Sequence, residues 1–243
     1  MEKIGLFLKY LLILALSVLI GTFLLIAVYK LPIGRATKNV ISSINYLGGD
    51  FPDWSGNIFT VSDGFTDLIM INTSIFNGRD NATYYALQNP HIEYKNEFVQ
   101  YKNLLDYLNE RENPITTPYP RYWHGYVIIL KPLLAFFTVQ DIRLLNSIIQ
   151  GLLFLLLLYL LNITVPRNSQ IATLGYGLSL FMICPFTISL CFQYSTVYYI
   201  ILLSCITMIL LRKFLQKNGR FGLFFYFVGI VTAYFDFLTY PAA

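Results

Sequence analysis

Residues 144–161 read LLNSIIQGLLFLLLLYLL, eighteen positions without a charged side chain. A helix rises about 1.5 Å per residue and the hydrocarbon core of a bilayer is about 30 Å thick, so about 20 apolar residues cross it. This stretch has the length and composition of a membrane span. Working outward, four more runs read the same way: Ile4–Tyr29, with only Lys9 near one end; Ile171–Leu190, interrupted by Pro185; Val197–Leu211; and Phe221–Tyr240. The first is longer than the apolar core of a signal peptide, about 7–15 residues, and no small-x-small cleavage site follows it, so it reads as an uncleaved signal anchor. The fold class expected is an α-helical polytopic membrane protein. It has about five transmembrane helices and a long external loop with amphipathic juxtamembrane helices.

Composition agrees. Of 243 residues, 56% are hydrophobic, 17% aromatic and only 12% charged. Soluble domains carry roughly 25% charged residues, so an ordinary cytosolic enzyme, a disordered chain and a basic nucleic-acid binder are all excluded. The charge is unevenly placed. Residues 30–125 hold eight Lys or Arg and ten Asp or Glu, and the rest of the chain holds nine and three. An aqueous module and a membrane module follow from that split. Basic residues favour the cytoplasmic side of short loops. Arg167 after the second span, and Arg212, Lys213, Lys217 and Arg220 after the fourth, therefore put the N-terminus with Lys3 and Lys9 inside and residues 30–125 outside the cell membrane.

Four stretches are expected on this basis. Residues 1–29 are the anchor helix, 30–125 an extracytoplasmic module, 126–139 an interfacial or re-entrant segment broken by Lys131-Pro132, and 140–243 a four-span module. The link 191–196 is so short that the third and fourth spans should form a tight hairpin. Cys184, Cys191 and Cys205 lie in apolar runs without paired spacing and read as small buried hydrophobes. The apolar ending FDFLTYPAA at 235–243 suggests the N-terminal portion of a longer product.

Within the extracytoplasmic module, Val40, Ile41, Ile44 and Leu47 recur at helical spacing, which predicts an amphipathic helix over 36–47. Phe98, Tyr101, Leu105 and Leu108 predict a second over 91–111, and Gly48–Gly64 reads as loop. Asn72-Thr73-Ser74 and Asn81-Ala82-Thr83 match the short N-glycosylation pattern.

Three clusters carry candidate chemistry. Asp63 and Asp67 lie four apart, on one face if helical, just before an apolar run. A carboxylate partly desolvated at that boundary suits a general base, and an Asp before an apolar run equally suits a helix cap. Arg121-Tyr122-Trp123-His124-Gly125-Tyr126, leading into Lys131, combines cations suited to phosphate with aromatic side chains. The same residues also suit an interfacial belt of aromatic rings and snorkelling bases. Asp236 sits near the end of the fifth span, where an acid has either a function or contact with water. Asp141 and Arg143 read as an ordinary helix-start pair.

The layout of anchor, long acidic loop, short juxtamembrane segment and closely spaced spans resembles the GT-C glycosyltransferases, which include oligosaccharyltransferases, protein O-mannosyltransferases and aminoarabinose transferases. The stretches DGFTDLIMIN, PRYWHGYVIILKPLL and FDFLTYP are similar to uncharacterised multi-span proteins of Gram-positive bacteria. The resemblance implies an inverting sugar transferase that uses a polyprenyl-phosphate-linked donor at the outer membrane surface. Its base would be Asp67, with Asp63 second. Tyr122 and Trp123 would line the substrate site with Asp236, and Arg121, His124 or Lys131 would stabilise the leaving phosphate. A single divalent cation held by Asp63, Asp67 and the phosphate is compatible with it. The chain departs from the better-known members in lacking a WWD-type signature, an adjacent acidic pair in the loop and the later spans. The partners implied are the lipid-linked donor and membrane lipids, with no nucleic acid. The alternative is a non-catalytic membrane protein that binds a partner or a lipid-linked glycan through residues 30–125, and a transporter is disfavoured by the scarcity of charge within the spans.

Overall fold

A computed structural model describes residues 2–48, 64–93, 100–109, 115–166, 170–182, 185–217 and 219–236. Asp63, Arg167 and Cys184 lie outside the described residues. The chain is mostly helical. Helix α1 is Glu2–Tyr29, and the segment after it folds as α2 (Gly34–Ser42), α3 (Ile44–Gly48), α4 (Gly64–Ile75), α5 (Ala82–Gln88), β1 (His91–Glu93), α6 (Gln100–Leu108), β2 (Ile115–Thr117) and α7 (Val127–Phe136). The remainder is α8 (Val139–Thr164), α9 (Gln170–Met182), α10 (Pro185–Ile188), α11 (Phe192–Leu210), α12 (Arg212–Leu215) and α13 (Arg220–Phe235).

Among the described residues, three helices are long and apolar enough to cross a membrane: α1 from Ile4, α8 and α11. They turn large side chains outward, with Leu144, Leu152 and Leu155 each more than 60% exposed. Leucines displayed at that density suit a hydrocarbon solvent. Among the described residues the other two expected spans are covered by shorter helices. Helix α9 is described over Gln170–Met182 and α10 over Pro185–Ile188, with residues 183–184 outside the described residues. The 13 residues of α9 extend about 20 Å. Helix α13 has 16 residues and extends about 24 Å.

Local chemistry fixes several boundaries. At the start of α8 the Thr138 hydroxyl accepts from the Asp141 N–H at 3.2 Å, and the Asp141 carboxylate accepts from the Thr138 N–H at 3.0 Å, a reciprocal cap. Asp141 is thus the helix-start residue expected, but Arg143 is not its companion; it turns inward. Helix α7 runs through Pro132 for ten residues. The helix expected over 36–47 is divided at Ser43, whose hydroxyl donates to the Asn39 carbonyl and accepts from the Val139 N–H at 3.1 Å, tying it to α8. The start of the 91–111 helix is instead strand: His91–Glu93 pairs antiparallel with Ile115–Thr117, His91 opposite Thr117. Backbone pairing with a partner over twenty residues away wins there over local helical spacing.

One core joins the long helices to the segment between them. It holds Leu25 and Tyr29 of α1, Val40 of α2, Leu68 and Ile71 of α4, Ile92 of β1, Leu104 of α6, Leu130 and Leu134 of α7, Ile142 of α8 and Phe192 of α11. The described residues between 64 and 127 therefore share their packing with α1, α8 and α11. A second cluster, with Leu157, Leu180, Tyr198, Leu202 and Ile206, lies along α8, α9 and α11. Helix α13 closes back on the start of the chain. The Tyr234 hydroxyl donates to the Gly21 carbonyl at 2.7 Å, and the Tyr234 carbonyl accepts from the Gly125 N–H at 2.9 Å.

A candidate lipid cavity beside a buried ion pair

Asp67 lies in the first turn of α4 and is fully buried. One carboxylate oxygen accepts from Arg143 Nη2 at 2.8 Å, and the other from the Phe192 backbone N–H at 2.8 Å. Phe192 opens α11, so the carboxylate caps another helix from outside and meets the positive end of its dipole. Arg143 is 2% exposed and its guanidinium lies over the rings of Tyr46 and Phe192, at 5.2 and 5.7 Å from their centroids. A buried pair of this kind needs hydrogen bonds to offset desolvation, and Asp67 receives them on both oxygens. Both carboxylate oxygens of Asp67 are thus engaged by the protein. Asp67 acts as a junction between α4, α8 and α11. Asp67 is also the described half of the acidic pair expected to hold a cation, and it is committed to Arg143.

His124 is buried with φ +53°, a left-handed backbone unusual outside glycine. Its Nε2 lies 2.8 Å from the Tyr119 carbonyl and its Nδ1 3.0 Å from the Tyr126 hydroxyl. A carbonyl only accepts, so Nε2 carries the proton and Nδ1 accepts from Tyr126. Burial pulls the imidazole down to about 4, with nearby His91 adding to the effect and the Tyr119 carbonyl opposing it. Burial likewise holds the Tyr126 hydroxyl well above its ordinary value. Burial thus favours the neutral imidazole, and His124 sits in a ring cluster with Tyr119 and Tyr122.

Lys131 is 1% exposed. Its ammonium donates to the Phe76 carbonyl at 3.1 Å and lies 5.3 Å from the centre of the Tyr29 ring. Burial lowers it to about 8. It points into the core, away from any surface phosphate. Arg121 is exposed over the Tyr122 ring, and Trp123 is partly exposed beside Tyr234. Asp236 is buried at the C-terminal end of α13. The Gly125–Tyr234 bond thus brings the 121–126 run and the end of α13 to one corner. Asp67 belongs to a different set, with Arg143 and Phe192. Among the candidate glycosylation sites, Asn72 is buried with its amide donating to the Ile92 carbonyl, and Asn81 caps α5. Among the described residues no three His, Cys, Asp or Glu side chains group as a metal site.

A cavity of about 320 Å³ opens among α4, α7, α8, α11 and α13. Its wall is mostly apolar, with Met70, Leu130, Ile142, Leu203 and Val231, and Tyr126 and Phe192 also line it. Asn146, Ser195, Thr196 and Tyr199 supply its polar atoms. Of the described candidate residues, Tyr126 of the 121–126 cluster lines it, and Asp67, Arg121, Tyr122, Trp123, His124, Lys131 and Asp236 do not. The nearest links are Tyr126, bonded to His124, and Phe192, whose N–H holds Asp67. A sequence signal that could have pointed here is the polar Asn146 inside the apolar run 144–161, with Gln150 one helical turn on.

Comparison with family models, curated proteins and solved structures gave no match.

Proposed function

We propose that this chain is a membrane protein that binds a lipid, holding part of its hydrocarbon chain in the cavity between α7, α8, α11 and α13. The observation that carries this reading is the cavity itself. Its volume of about 320 Å³ lies at the lower end of the roughly 300–1,000 Å³ usual for small-molecule sites, and such sites combine apolar walls with a few placed polar groups. Each methylene moved from water into such a wall contributes about 0.8 kcal/mol. Asp67 and Lys131 serve packing in this reading.

The test is photolabelling of the full chain in lipid nanodiscs with a lipid carrying a diazirine in its acyl tail. Labelling is expected on peptides of α7, α8 and α11. Leu203→Trp fills the cavity and is expected to reduce that labelling at least fivefold, with thermal stability retained. Equal labelling of wild type and variant overturns the reading.

A second reading is the transferase implied by the resemblance, with a polyprenyl-phosphate-linked sugar as donor. The observation that favours it is the exposed Arg121, which precedes the cavity-lining Tyr126 by five residues and suits a lipid phosphate. Asp67 would then be structural and the base a different group. Mass spectrometry of surface glycans in the native host, with Arg121→Gln at matched protein level, tests it. Loss of one sugar supports transfer; an unchanged profile removes it.

A further inference from the structure

Resting on the lipid-binding reading, the geometry points to a ligand of narrower chemistry: we propose that Asn146 donates a hydrogen bond to a carbonyl of an acyl lipid. Asn146 lines the cavity wall, and its side-chain oxygen accepts from the Tyr199 hydroxyl at 3.1 Å. That bond turns the amide oxygen to the protein and leaves the NH₂ group with no acceptor among the described residues. One turn further along α8, Gln150 is 1% exposed and neither of its amide atoms makes a well-formed hydrogen bond, although it lies beside the Tyr199 hydroxyl. An amide in a hydrocarbon setting has no solvent to satisfy it, and such groups inside membrane helices usually have a partner or a function. A spare donor on a mostly apolar wall selects an acceptor.

Depth agrees with a carbonyl at the base of a head group. Asn146 lies seven residues past Val139 and Tyr199 seven past Phe192, so both sit about 10 Å along their helices from the ends that meet α4. The cavity continues beyond them to Leu203 and Val231, which receive the chain. A diacyl lipid carries ester carbonyls between head group and tail. A polyprenyl phosphate carries none, and neither does an ether-linked lipid.

The experiment is competition against the photolabelled lipid in nanodiscs, using the full chain. The competitors are a diester phosphatidylglycerol, its diether analogue and undecaprenyl phosphate. The diester is expected to compete roughly fivefold better than the diether, the net worth of one hydrogen bond. In Asn146→Leu that ratio should fall to about one while tail-driven labelling persists. Should that variant not fold, the diester-to-diether ratio on wild type decides alone. Equal competition by diester and diether, an unchanged ratio in Asn146→Leu, or stronger competition by undecaprenyl phosphate overturns the carbonyl assignment and leaves the cavity reading standing. Labelling that is insensitive to Leu203→Trp removes the cavity reading itself.

Discussion

Removing Arg143 would leave the Asp67 carboxylate buried without its cation, while the Phe192 N–H still donates to it. Breaking a buried pair on one side costs about 3–5 kcal/mol, because the remaining charge stays in a medium that cannot solvate it. Arg143→Met is therefore expected to lower thermal stability by that order. Adding Asp67→Leu should recover much of the loss, as apolar replacements of a whole buried pair are often neutral. A double-mutant cycle from denaturation in detergent checks this; additive losses would show the pair to be uncoupled. At this scale the sequence was only partly readable. The apolar run after Asp67 marked it as a desolvated carboxylate, but its partner lies 76 residues away, and no spacing rule spans that distance. Arg143 passed for a helix-start residue because its direction depends on what α8 meets. Lys131 passed for a phosphate ligand because composition does not say which side of a helix faces the core.

Elements were more legible where the signal is length. The runs Ile4–Tyr29, 144–161 and Val197–Leu211 declare themselves because roughly 20 apolar residues have few other homes, and they correspond to α1, α8 and α11. Contact-dependent elements were not legible. His91–Glu93 becomes a strand only because Ile115–Thr117 lies beside it, and 36–47 divides because Ser43 is bonded to α8. The joint between α13 and the start of α7 is a contact of the same sort, and it makes a prediction. A methyl group added at Gly125 would lie 2.5 Å from the Tyr234 carbonyl oxygen, which is backbone and cannot swing aside. Gly125→Ala is expected to detach the end of α13, lower stability by about 1–3 kcal/mol and raise proteolysis near Tyr234. Unchanged cleavage would show that the joint yields without cost.

For the molecule as a whole, stability should climb with pH in two steps. His124 titrates at about 4 when folded, against about 6.5 when free. On acidification the unfolded chain takes up this proton first, so stability falls between pH 6.5 and 4. Lys131 titrates at about 8 when folded, against about 10.4 when free. Between those values the unfolded chain again binds the extra proton, so stability rises with pH there. Each step is worth about 3 kcal/mol at most, at 1.36 kcal/mol per pH unit. Above pH 10 the trend reverses, because burial keeps Tyr126 protonated in the folded state while the unfolded chain loses that proton. Melting temperatures across pH 4–10 measure the profile, and Lys131→Met should flatten the upper step alone. A flat profile in both windows would mean that His124 and Lys131 reach water when folded.

The three groups of the Asp67 junction are also separated in time. A ribosome adds about 5–20 residues per second, and 125 residues part Asp67 from Phe192, so the carboxylate waits about 6–25 seconds for its last donor. Until α8 delivers Arg143 it is an unpaired anion that must stay in contact with water, and the Phe192 N–H follows later. The junction can close only after two long apolar helices have left the insertion machinery. Its completion is therefore a timing mark for assembly, and a nascent chain arrested before residue 192 should still hold α4 undocked.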